Sequence, residues 1–64
     1  MESKYYVVDY GKDMVELAEL VMANLKEKGH HKIVYLTDFP ESLYVTEVSE
    51  DEFLMHFAVG HSEN

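Results

Sequence analysis

The chain has 64 residues, no cysteine, five lysines, no arginine and thirteen acidic residues, a formal charge of −8. One domain over residues 1–64 is expected, burying only roughly 60% of the surface of its unfolded form and with no disulfide to reinforce it. That charge excludes the lysine- and arginine-based recognition of nucleic acids and anionic membranes and points instead to basic partners.

The first ten residues, MESKYYVVDY, lack the basic-then-apolar order of a secretory signal. No segment approaches the ~20 apolar residues of a membrane span, so a cytoplasmic location is expected. An apolar fraction of 47%, with five tyrosines and three phenylalanines, indicates a folded chain rather than an acidic disordered tail.

Lys4 to Tyr10 reads as a strand, with Tyr6, Val8 and Tyr10 on one face and Tyr5, Val7 and Asp9 on the other. Both faces are partly apolar, so a helix should cover one and something else, such as a second subunit, the other. Gly11 ends the strand. Asp13 and Glu16 have capping-box spacing, which predicts a helix from Met14 to Lys28 with an apolar stripe of Met14, Leu17, Ala18, Val21, Met22 and Leu25. Leu20 interrupts the polar face of Glu16, Glu19, Ala23 and Glu27, and Gly29 is a natural stop.

Lys32 to Phe39 is the clearest strand, followed by a turn over Phe39-Pro40-Glu41-Ser42 and a third strand from Leu43 to Val48. A right-handed crossover should make the first two strands parallel, and the tight turn should set the third antiparallel to the second. Ser49 to Val59 allows two readings. Ser49 with Glu52 is a capping box that argues for a helix ending at Gly60; a hairpin about Glu50 and Asp51 would pair Val48, Thr46 and Tyr44 with Phe53, Met55 and Phe57. The strand reading is preferred. The expected fold is α+β, β-α-β-β plus a final strand or short helix, with a sheet of three or four strands and one long helix on one face. The other sheet face would be uncovered, which predicts a homodimer through the sheet.

No serine-histidine-aspartate order, phosphate-cradling glycine loop or nucleophilic cysteine is present, and no enzyme is expected. The histidines His30, His31, His56 and His61 do not have zinc-site spacing, and no metal or other cofactor is expected. His30 and His31 should lie just past the helix C-terminus, where positive charge is favoured. Tyr5, Tyr6, Tyr10, Tyr35 and Tyr44 belong by default to the core or a dimer contact.

Charge is distributed unevenly. Residues 1–32 hold six acids and all five lysines, whereas residues 33–64 hold seven acids and no base. Asp38, Glu41, Glu47, Glu50, Asp51 and Glu52 can be placed along a strand edge and its turns, where residues two apart lie about 6.6–6.8 Å from each other. That is comparable with phosphate spacing along a nucleic-acid strand.

In size, acidity, lack of cysteine and mixed α/β make-up the chain resembles the small DNA-mimic proteins that lytic phages direct against host DNA-binding proteins. The resemblance covers the general character of the whole chain and rests on no motif, so no residue roles transfer. It implies an inhibitor whose acids replace phosphates on a basic DNA-binding protein. A dimeric nucleoid-associated protein such as HU is the leading target. The alternative is a small interaction module, such as a host RNA polymerase inhibitor or an adaptor, that binds through an apolar face or sheet edge while its acids serve solubility.

Overall fold

A strand rich in β-branched and aromatic residues on both faces belongs at the centre of a sheet, and that is where the first strand lies. The structure, a computed structural model, describes residues 3–60. They run β1 (Tyr5–Tyr10), a 3-10 turn (Lys12–Met14), α1 (Val15–Glu27), β2 (His31–Leu36), β3 (Leu43–Val48) and α2 (Glu50–Gly60). The fold is α+β, a three-stranded mixed sheet with one long and one shorter helix. Strand order is β2-β1-β3. β1 runs parallel to β2, with Tyr5 beside His31 and Tyr10 beside Leu36. It runs antiparallel to β3, with Tyr5 beside Val48 and Tyr10 beside Leu43.

Val7 and Val8 point to opposite faces of β1, yet are only 7% and 0% exposed. Both faces are therefore covered. On the Val7 side, Tyr5 shares its face with His31 and Tyr35 of β2, and all three meet α2. Phe53 packs its ring 4.9 Å from that of Tyr5 and 6.0 Å from that of His31, and the Tyr35 hydroxyl donates to the His56 carbonyl at 3.3 Å. The Val8 side is left to α1, which packs on β1 and β2. The buried apolar side chains divide accordingly, Val8 with Ala18 and Leu25 on the α1 side and Val7 with Ile33 on the α2 side.

Several sequence expectations need correction. The segment after Ser49 is a helix, not a strand. Its cap outweighs the hairpin pattern: the Ser49 hydroxyl accepts the Glu52 N–H at 3.1 Å and the Ser49 carbonyl accepts the Phe53 N–H at 2.9 Å. The sheet face away from α1 is consequently not bare, because α2 covers it over β1 and β2. The capping box at Asp13 and Glu16 does not form. A 3-10 turn opens at Gly11 instead, and neither it nor α1 has a side-chain cap. Leu17, expected in the buried stripe, is 45% exposed.

β3 points opposite to β2 as expected, but its partner is β1. The Phe39–Ser42 turn is present, the Ser42 N–H donating to the Phe39 carbonyl at 3.1 Å. Strand β2 ends at Leu36, however, and residues 37–42 form a connection that steps across the end of β1. Thr37 N–H donates to the Tyr10 carbonyl on one side, while Gly11 and Asp13 N–H donate to the Ser42 and Pro40 carbonyls at 2.8 and 2.9 Å on the other.

That crossing explains Gly11, whose backbone is extended at φ −91° and needs no glycine for conformational reasons. Space is what it supplies. A Cβ there would overlap the Phe39 carbonyl oxygen and stand 2.5 Å from Pro40 backbone atoms. Gly29 is different: at φ 78° it closes α1 in a Schellman motif, with Gly29 N–H on the Lys26 carbonyl and His30 N–H on the Leu25 carbonyl, both at 2.9 Å.

Gly11→Ala is expected to cost about 3 kcal/mol, the upper end for overpacking, because backbone rather than a side chain must yield. Gly29→Ala should cost about 1–2 kcal/mol for its left-handed backbone. Urea denaturation of both variants measures this, and a smaller loss at Gly11 would contradict a tight crossing.

Candidate protein-binding surface

Glutamate and aspartate remain in water unless paired, and all six carboxylates singled out above are exposed. They do not form one row. Asp38 and Glu41 lie in the connection at the end of the sheet where Tyr10 pairs with Leu43. Glu47 sits near the other end of β3, opposite Tyr6, and Glu50, Asp51 and Glu52 occupy the first turn of α2. The row is replaced by two clusters bracketing β3, whose six residues span about 20 Å. The physical reason is that β3 itself carries a single acid, and three consecutive acids on a helix fan round it at about 100° steps rather than lining one side.

No lysine neutralises either cluster. Among the described residues the one ion contact within 4.0 Å is His56 Nε2 to Glu52 Oε2, one helical turn apart. The α2 triplet also has a local role: carboxylates at a helix N-terminus interact favourably with its dipole, each by about 0.3–1 kcal/mol.

The structure adds apolar surface that sequence reasoning passed over. Phe53 and His56 turn to the sheet, and the rest of α2 leaves Leu54, Met55 and Phe57 at 52%, 63% and 61% exposure. The run FLMHFAV, apolar but for His56, held the signal, since a helical stretch so nearly apolar all round cannot be covered by one sheet face alone. On α1, Leu20 is exposed, and Leu17 joins it one turn earlier.

β3 is the least covered strand: Tyr44, Val45, Thr46 and Glu47 are all exposed, and β3 packs substantially only on β1. Its free backbone groups can be assigned. Lys4 and Tyr10 carbonyls accept from His31 and Thr37, so even-numbered residues of β1 face β2 and odd-numbered ones face β3. Gly11 N–H, donating to Ser42 O, fits the same parity. Tyr44, Thr46 and Val48 therefore bond to β1, while Leu43, Val45 and Glu47 direct N–H and C=O away from the sheet.

The described histidines are packed among aromatic rings. His31 stacks on Tyr5 at 5.0 Å, His30 lies 5.6 Å from Tyr6 and His56 6.1 Å from Tyr35. His30 Nδ1 accepts the Lys4 N–H at 3.1 Å. Both His30 and His31 follow the end of α1 as expected; His61 lies outside the described residues. Among those residues no group of three or more histidine or acidic side chains gathers as a metal site, and no helix is long and apolar enough to cross a membrane. Comparison with protein-family models, curated proteins and solved structures finds no match.

Ser49→Ala should destabilise the fold by about 1 kcal/mol and lower helical ellipticity, whereas Ser49→Asp, another good cap, should retain both. Urea denaturation followed by circular dichroism is the check; equal losses in the two variants would contradict the capping role.

Proposed function

We propose that the chain is an acidic DNA-mimic inhibitor that occupies the basic DNA-binding surface of a host DNA-binding protein in the cytoplasm, a nucleoid-associated protein foremost, and blocks its access to DNA. The observation that carries this reading is that Asp38, Glu41, Glu47, Glu50, Asp51 and Glu52 are all exposed and, among the described residues, no lysine lies within 4.0 Å of a carboxylate. Two unneutralised clusters held about one strand length apart on a folded scaffold present fixed negative charge to a cationic surface. Association through such charges is fast and weakens with salt. The reading involves no catalysis and no cofactor.

A homodimer belongs to this proposal, with its seat moved from the sheet face to α2. Leu54, Met55 and Phe57 are each more than half exposed, whereas of the three exposed apolar side chains on α1 only Leu20 is, and a second copy that covered them would double the number of acidic clusters. Phe57→Ser should weaken such a dimer. Sedimentation of the parent chain as a 7.5 kDa monomer at tens of micromolar would contradict it.

The same exposed residues favour a second reading, an interaction module that binds its partner through the apolar surface of α2 and Leu20. The two readings separate by substitution. Glu50→Gln, Asp51→Asn and Glu52→Gln together remove charge without placing cations at a helix N-terminus, where they would destabilise α2. In a competition assay with HU and labelled duplex DNA, this triple variant should displace DNA at least tenfold less well than the parent. Leu20→Ser should match the parent. The reverse pattern would support the apolar module and contradict the mimic.

A further inference from the structure

Building on the reading of a basic partner, we propose that the outer edge of β3 receives an extended segment of that partner as a fourth strand. The segment has β-branched or aromatic residues at its centre and lysine or arginine at both ends. Three features of β3 define it.

The first is the outward N–H and C=O groups of Leu43, Val45 and Glu47, a ladder ready for main-chain pairing. The second is the space on either side. Neither helix packs substantially over β3, so an added strand finds Val45 at 42% exposure on one face and Tyr44 at 63% on the other as neighbours for its alternating side chains.

The third is charge. Asp38 and Glu41 stand at one end of β3, and Glu47, Glu50, Asp51 and Glu52 at the other. A segment with basic residues at both ends is matched whichever way it runs.

The same charges disfavour a second copy at this edge. Antiparallel pairing of β3 with its symmetry mate about Val45 would set Glu41 beside the Ser49–Asp51 segment of the other copy, and parallel pairing would set like on like. The edge of β2 meets only half of the requirement. Lys28, His31 and Lys32 stand near its start, but Asp38 lies just beyond its end.

The test uses the full chain and a labelled synthetic peptide with paired lysines at both ends and alternating valine and threonine between, alongside the same peptide N-methylated on every central amide. Binding is read by fluorescence anisotropy. The parent peptide should bind, and the methylated one, with equal charge but no strand-pairing N–H, should bind at least tenfold more weakly. Val45→Pro removes an outward N–H and should weaken peptide binding at least tenfold while leaving the melting temperature close to that of the parent, since proline is tolerated on such edges. Thr46→Pro breaks the β1 ladder and should lower the melting temperature.

Equal affinity for the two peptides would overturn the edge proposal and leave the basic partner in place, as would a chain that displaces DNA from HU yet ignores the peptide. A chain that takes up the peptide through this edge but does not engage HU would support the edge and remove that target. If Val45→Pro alters the sedimentation of the chain alone and not its affinity for the peptide, the occupant is a second copy and the proposal fails.

Discussion

β1 is the strand on which the other elements depend. It has hydrogen-bonded neighbours on both sides, and adjacent valines bury themselves on opposite faces, so each helix has a half-core to complete. In a chain this short, with Val8 as the largest fully buried side chain among the described residues, β1 is the strand that has both a strand on either side and a helix on either face. The position of β1 also requires a connection to cross its end, and the crossing requires a residue without a side chain at Gly11. Central burial, strand order and the glycine form one constraint.

Much of this was legible in the residues. The apolar periodicities marked three strands and a long helix, Gly29 marked the end of that helix, and Phe39-Pro40-Glu41-Ser42 formed the expected turn. Pairing was not legible, because a proline turn sets direction but not neighbour: six residues between β2 and β3 are enough to step over β1. The last segment was misread for a related reason. An alternation of Phe53, Met55 and Phe57 against Val48, Thr46 and Tyr44 competes with one capping serine, and the pattern does not weigh the hydrogen bonds that the cap makes.

The six acids were identified correctly as exposed, but their arrangement depended on those pairings. Once Ser49 starts a helix, Glu50, Asp51 and Glu52 leave the strand and gather at a helix N-terminus, where they also favour folding. Once β3 pairs with β1, it becomes an edge with acids at both ends and neither helix packed substantially over it. The unpaired backbone of Leu43, Val45 and Glu47 could be assigned only from the hydrogen bonds of its neighbours. Negative charge, free strand edge and uncovered apolar residues thus lie on and around β3 and α2, while all five lysines lie in the first half of the chain. A basic partner would meet the β3 and α2 side first.

The most direct test of that account is to immobilise the chain, pass a bacterial lysate over it and elute with rising salt, identifying the proteins released by mass spectrometry. The account predicts that basic DNA-binding proteins are retained, leave as salt increases and are displaced at low salt by added duplex DNA. Retention of a neutral or acidic protein that resists both salt and DNA would contradict it and would assign the carboxylates to solvation alone.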